Sequence, residues 1–216
     1  MSEDLSRVVV RKPWGREYMC YQSPELAIWV LEMDEYKATS LHAHVKKNAA
    51  FVVLRGVVYL ELIRGQALRF RAVSKINVFR GRFHRLRADI MGATLIEIES
   101  PGDKSDIVRL EDYHGRAGQP YEAGGEHEPR DKRHAWIGGS EGRHIIAGCV
   151  LRTFEPRVRE ELYGLSDGEA VVTLHGGLER GLLPPGDAID GVTLDRLARA
   201  FAPIPGSSFL HIKEAT

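Results

Sequence analysis

The stretch TSLHAHVKKNAAFVVLRG, residues 39–56, decides the fold. It places His42 and His44 two residues apart in an apolar, strand-like context. Because side chains alternate along a strand, the two imidazoles share one face, while Leu41 and Ala43 occupy the other. The stretch therefore predicts a strand that presents two chelating groups on the same side.

The sequence around this stretch is typical of a β protein. From about residue 7 to residue 100, short apolar runs alternate with Gly, Asp, Lys and Arg, and helical periodicity is weak. Strands are predicted over residues 27–33, 38–44, 50–56, 57–63, 67–73, 76–79, 83–88 and 93–99. Eight short strands with tight connections favour a jelly roll or a small barrel.

The second half of the chain begins with a different composition. Residues 115–143 are rich in Gly, Pro and charge, which is typical of a linker or a long surface excursion. Further strands are predicted over residues 144–154, 169–177, 182–189 and 207–214. An amphipathic helix is predicted over 193–202, with Thr193 as its N-cap.

These patterns predict three parts of the chain: a barrel domain over 1–116, a linker over 117–143 and a β-rich region with one helix over 144–216. Two interpretations of the last region are open. It is either a degenerate second barrel that has lost its metal, or an α+β appendage on the first barrel.

Composition limits the possible partners. The chain has 30 Lys and Arg residues against 30 Asp and Glu residues, so no overall field attracts nucleic acid or an anionic membrane. No uncharged apolar run reaches the roughly 18 residues that cross a bilayer, and the N-terminus lacks a signal-peptide pattern. We therefore predict a cytoplasmic protein with neither nucleic acid nor membrane as its partner. Cys20 and Cys149 lack a CxxC spacing and are predicted to be free, buried thiols.

A third histidine extends the first pair. In FRGRFHRLRA, residues 79–88, His84 follows Gly81 by three residues at the start of another predicted strand. Three neutral imidazoles from two strands suit zinc, iron, nickel, cobalt or manganese, with at least one coordination position left open. The alternative is a set of exposed or hydrogen-bonded histidines on a basic surface, since four basic residues lie nearby: Lys46, Lys47, Arg82 and Arg85.

The histidine pattern resembles the two motifs of the cupin superfamily. The first motif runs Gly, five residues, His-x-His, three or four residues, Glu, six residues, Gly, and the second runs Pro-x-Gly-x-x-His. His42, His44 and Gly56 match the first motif, while Gly81 and His84 match the second. The resemblance implies a jelly-roll barrel and a metal held by the three histidines.

Two positions depart from these motifs. Ala49 stands where the family has its acidic ligand, and Phe79 stands where the second motif has proline. Asn48 could offer an amide oxygen to the metal if the strand bulged by one residue. Otherwise the site is a three-histidine site, and the missing acid favours metal binding over isomerase activity.

Three segments narrow the resemblance. VRKPWGREY (10–18), SLHAH (40–44) and DIVRLEDYHGR (106–116) resemble cupins related to type II mannose-6-phosphate isomerase, a group that includes sugar-nucleotide and capsular-polysaccharide cupins. The resemblance implies a divalent metal ion (zinc, nickel, manganese or iron), a phosphorylated or nucleotide-linked sugar as substrate, and a homodimer.

Sugar-phosphate isomerisation also needs a base and an anion-binding group. Glu97 is the candidate base, and Glu61 and Glu99 are two further carboxylates on predicted strands. The alternative for each of the three is a solvated carboxylate without a catalytic role. Lys12 and Arg109 fall in the segments that resemble the substrate end of these isomerases, and a guanidinium holds phosphate by two parallel hydrogen bonds. The alternatives are a non-catalytic cupin that binds a sugar or small acid, and a metal-dependent dioxygenase.

Overall fold

The computed structural model describes residues 5–63, 65, 67–118, 127–138 and 142–215. These residues form two antiparallel sheets and one α-helix, together with three short 3₁₀ turns at Leu5–Arg7, Arg159–Leu162 and Glu179–Gly181. No helix among them is long and apolar enough to cross a membrane.

The first sheet contains ten strands. They are β1 (Val8–Lys12), β2 (Gly15–Gln22), β3 (Ala27–Met33), β4 (Leu41–Ala43), β5 (Asn48–Leu62), β6 (Leu68–Arg71), β7 (Lys75–Val78), β8 (His84–Ser100), β9 (Val108–Glu111) and β10 (His127–Pro129). The main path runs β10-β1-β2-β3-β8-β4-β9, and β5 pairs with β6, β7 and β8. The sheet curls around an apolar interior that includes Trp29, Phe51 and Leu95. It is the predicted jelly-roll barrel.

Two long strands carry the curvature of the barrel. The sequence predicted four separate strands over 50–56, 57–63, 83–88 and 93–99, but each pair is one continuous strand, β5 or β8. The prediction was wrong because it took glycine to end a strand. Gly56 has φ +81° and Gly92 has φ +64°, so each strand bends there, and β5 and β8 stay paired through two register shifts.

The second sheet is formed by β11 (Arg143–Ile146), β12 (Cys149–Phe154), β13 (Glu169–His175), β14 (Ala188–Asp190) and β15 (Ser208–Glu214). Its order is β11-β12-β15-β13-β14. The two edge strands do not pair with each other within the described residues, so the sheet is open. This open sheet matches the appendage interpretation, and the division of the chain into domains stays a prediction.

The second sheet packs on the outside of the barrel. Its residues Leu151, Val172 and Leu210 share one apolar cluster with Tyr18 and Ile28 of the barrel. The opposite face of the sheet is covered by α1 (Gly191–Ala200). The helix lies where the sequence predicted it, but Asp190 rather than Thr193 is the N-cap, because the Asp190 carboxylate accepts the Thr193 N–H at 2.8 Å.

Part of the predicted linker belongs to this packing. Strand β10 pairs with β1, and Ile137 is buried in the cluster between barrel and second sheet. The remaining linker residues 119–126 and 139–141 lie outside the described residues. Cys20 and Cys149 are buried and free, as predicted.

We expect Gly56→Ala to lower the free energy of unfolding more than Gly148→Ala does. Both glycines have similar φ values, +81° and +85°, so alanine costs about 1–2 kcal/mol at either. A Cβ at Gly56 would also lie 2.3 Å from the Gly92 carbonyl oxygen, whereas at Gly148 nothing lies within 4 Å. This contact adds about 1–3 kcal/mol. Urea unfolding of the two variants measures the difference, and equal losses would contradict the close approach of β5 and β8.

Candidate metal centre

The barrel brings the three predicted histidines together. His42 on β4 is the direct cross-strand partner of His84 on β8, and His44 follows β4 by one residue. The ring centroids are 4.5 Å apart for His42 and His84, 5.0 Å for His42 and His44, and 5.4 Å for His44 and His84. One nitrogen from each ring lies within 4.8 Å of the other two. Alternation along the chain places His42 and His44 on one side, and the pairing of His42 with His84 adds the third imidazole to that side.

Backbone carbonyl oxygens fix the orientation of each ring. The Nδ1 atoms of His42, His44 and His84 lie 2.8, 2.6 and 3.0 Å from the carbonyl oxygens of Ser40, Asp106 and Arg82. A carbonyl oxygen only accepts, so each Nδ1 carries the proton and donates it. The tautomer that remains leaves the Nε2 lone pair available as a metal ligand.

The electrostatics of the cluster favour neutral rings. Burial lowers the pKa of all three histidines, well below the usual value for His42 and to about 3 for His44, where nearby Lys47 and His84 act in the same direction. Neutral imidazole is the form that binds a metal. The Nε2 atoms of His44 and His84 are buried and have no hydrogen-bond partner among the described residues. Three neutral ring nitrogens within 4.8 Å of one another fit a divalent transition metal.

Asp106 organises the loop that follows His44. Its carboxylate accepts the backbone N–H groups of Val45, Lys46 and Lys47 at 3.0, 2.8 and 2.9 Å, while its carbonyl oxygen accepts from His44. Asp106 therefore accepts hydrogen bonds both from the His44 ring and from the three backbone N–H groups that follow it.

The three predicted catalytic residues line the same pocket as the histidines. Lys12 extends from β1, Glu97 from β8 and Arg109 from β9, where Arg109 is the cross-strand partner of His42. The apolar part of the wall includes Trp14 and Phe51, and further charged residues of the wall are Glu17, Lys47, Glu99, Lys104 and Arg116.

Sequence reasoning missed a network of buried ion pairs in this pocket. Lys104 Nζ lies 2.7 Å from Glu97 Oε2, 3.4 Å from Glu99 Oε1 and 3.5 Å from Glu17 Oε2. Lys47 Nζ lies 2.5 Å from Glu99 Oε1, and Lys12 Nζ lies 3.6 Å from Glu17 Oε1. Lys47 is not part of a basic surface, because it is only 1% exposed. Alternation along β2 and β8 could have placed Glu17 and Glu99 inward, but Lys104 is on a loop that carries no such pattern.

Other sequence candidates lie outside the centre. Asn48 is exposed, and its Oδ1 accepts the backbone N–H of Arg80 at 3.1 Å, so the suggestion that it supplies an amide ligand is wrong. Glu61 forms ion pairs with Arg85 and Arg87. Ala49 is buried opposite Glu99.

The described residues form a jelly-roll barrel that holds a cluster of three buried histidines. Similar solved structures include KdgF from Halomonas sp., with 18% identity and a TM-score of 0.39 over 42% of this chain and 82% of that protein. The capsular polysaccharide assembling protein CapF from Staphylococcus aureus has 14% identity and a TM-score of 0.41, over 49% of this chain and 34% of CapF. A protein with a double-stranded beta-helix domain from Klebsiella pneumoniae has 12% identity and a TM-score of 0.41, over 44% of this chain and 84% of that protein. No protein-family model and no curated protein matches the sequence.

We expect His44→Ala to abolish metal retention. Protein purified without a histidine tag should hold about one divalent ion per chain, and elemental analysis of the variant should show it lost. The control is His175→Ala, since His175 is an exposed histidine that contacts Glu25. Equal metal content in both variants would rule out the three-histidine centre.

We expect Asp106→Asn to weaken both the fold and the metal site. Loss of the carboxylate charge should lower the free energy of unfolding by about 2 kcal/mol. Because the His44 ring rests on the same residue, metal affinity should fall by about 10- to 100-fold. Urea unfolding and metal titration check the two effects.

Asp131→Asn is the matched control, because exposed Asp131 also accepts a backbone N–H, that of Arg133 at 2.8 Å. A stability loss in Asp106→Asn without any loss of metal affinity would show that Asp106 does not orient His44.

Proposed function

We propose that the protein is a metal-dependent enzyme that acts on a phosphorylated or nucleotide-linked sugar, and that it interconverts an aldose phosphate and a ketose phosphate. The observation that supports this proposal is the convergence of one ring nitrogen from each of three histidines in a pocket that Glu97 and Arg109 also line. These are a metal site, a candidate base and a candidate anion-binding group.

The reaction moves one proton between neighbouring carbons. A divalent metal held by His42, His44 and His84 would stabilise the negative charge that develops on the substrate oxygen. Glu97 takes the proton from the carbon next to the carbonyl; the electron pair of that C–H bond forms a C=C bond, and the carbonyl π pair moves onto the carbonyl oxygen, which gives an enediolate. The same carboxylate returns the proton to the former carbonyl carbon, while the proton of the neighbouring hydroxyl passes to the former carbonyl oxygen, so that the neighbouring carbon becomes the new carbonyl. Lys104, 2.7 Å from Glu97 Oε2, holds the carboxylate in position.

The other side of the pocket suits an anionic sugar. Arg109 is 7% exposed and lines the pocket from β9, and Lys12 lines it from β1. A guanidinium binds phosphate through two parallel hydrogen bonds. Trp14 and Phe51 offer apolar surface to the carbon face of a sugar ring.

One observation favours a second function. The ligand set that the described residues offer contains three neutral histidines and no carboxylate, which also suits iron in a dioxygenase. Iron as the retained metal would support the oxygenase, and zinc, nickel or manganese would support the isomerase. The homodimer and the cytoplasmic location stay predictions from the sequence.

The direct test is turnover of mannose 6-phosphate to fructose 6-phosphate by the metal-loaded protein. We expect Glu97→Gln to lower kcat by about 10²- to 10⁴-fold, and Arg109→Met to raise KM for the phosphorylated sugar. Glu111→Gln is the control, because this carboxylate is exposed on the outside of β9. Absence of turnover at high enzyme concentration would refute the isomerase and leave a sugar-binding protein or an oxygenase.

A further inference from the structure

Glu99 has two carboxylate oxygens in different environments. The side chain is 1% exposed, and Oε1 accepts a hydrogen bond from Lys47 Nζ at 2.5 Å. Oε2 is also buried, and it has no hydrogen-bond partner among the described residues. A buried carboxylate oxygen without a donor costs free energy. A donor brought by a ligand would satisfy it.

Glu99 faces the pocket that contains the three histidines. Its cross-strand partner on β5 is Ala49, and cross-strand partners lie on the same face of a sheet. Because alanine ends at Cβ, no longer side chain from that position separates Glu99 from the pocket. Glu99, whose Oε2 has no partner among the described residues, therefore lines the same cavity as His44 and His84, whose Nε2 atoms have none.

The counter-ion of Glu99 is tied to the metal centre through one short segment. Lys47 Nζ donates to the Asp103 carbonyl oxygen at 2.7 Å, and the Lys47 backbone N–H donates to Asp106 Oδ2 at 2.9 Å. Asp106 also holds the His44 ring through its carbonyl oxygen. Residues 103–106 thus fix the positions of His44 and of the Lys47 and Glu99 pair together.

Three neutral imidazoles bring no negative charge to a divalent ion. We propose that Glu99 is the acid of this centre: Lys47 holds Oε1, and Oε2 accepts a hydrogen bond from a hydroxyl-bearing ligand, water or sugar, that the centre binds. The inference rests on the proposed metal centre and assigns to it a carboxylate from β8. An ionised carboxylate only accepts hydrogen bonds, so such a position favours ligands that bring a donor, as the hydroxyls of water and sugars do.

Titration of the untagged, metal-free protein with Co²⁺, followed by visible absorption, tests this role. We expect Glu99→Gln to weaken Co²⁺ binding by about 10- to 100-fold and to change the absorption band. The matched control is Glu61→Gln, which alters a carboxylate that pairs with arginines and does not line the pocket. It should bind Co²⁺ like the wild type.

A double variant separates this role from a purely structural one. Glu99→Gln alone leaves the buried Lys47 ammonium without its carboxylate counter-ion, which disturbs the fold. Lys47→Met/Glu99→Gln removes both charges, so urea unfolding should show stability recovered relative to Glu99→Gln. We expect Co²⁺ binding of the double variant to stay weak, whereas Lys47→Met, which keeps Glu99, should bind Co²⁺.

The outcomes distinguish the two proposals. If the double variant binds Co²⁺ like the wild type, the pair is structural and the role of Glu99 is refuted, while the metal centre stands. If the wild type binds no Co²⁺, the proposed function fails and this inference fails with it. Loss of Co²⁺ binding in every variant that lacks Glu99, with stability recovered in the double variant, supports the inference.

Discussion

The continuous pairing of β5 with β8 is the constraint on which the site depends. His84 and Glu99 stand at opposite ends of β8, and fifteen residues of straight strand would separate them by about 50 Å. Both nevertheless line one pocket. The strand must therefore curl, and Gly92 lets it bend while its hydrogen bonds pass from one part of the barrel to the next. The bend at Gly56 lets β5 follow this curve, so that it stays paired with β8 along both strands.

The buried charges in the pocket suggest that stability has been exchanged for function. Moving lysine and glutamate out of water costs several kcal/mol per ion, and a well-packed apolar replacement is often as stable or more stable. The network nevertheless places three lysines and three glutamates at the wall of a single pocket. Pairing limits the cost, because Lys104 contacts all three carboxylates and Lys47 contacts Glu99. Such an arrangement holds the charged groups of the pocket in fixed positions.

The local pattern of the sequence predicted those features that depend on neighbouring residues. The alternation of His42 and His44 gave the shared face, and the apolar run 27–33 gave β3 with its bounds. The network could not be predicted, because it joins residues from β1, β2, β8 and two loops that only the barrel topology brings together. In the same way, β15 lies between β12 and β13, and no local signal specifies that order. Asp190 and Thr193 are both favourable N-cap residues. The sequence could not decide between them, because it did not specify at which residue the helix begins.

The second sheet contributes to the site although it does not line the pocket. Along β2, Glu17 and Met19 point into the barrel, while Tyr18 and Cys20 point outward into the cluster shared with the second sheet. Packing on the outer face therefore restrains the same backbone that positions Glu17 inside. Asn77 adds a direct link, since its side-chain amide exchanges two hydrogen bonds with the backbone of Ala188. A strand buried on both faces has little freedom to shift, and this rigidity is what a centre built from three separate histidines requires.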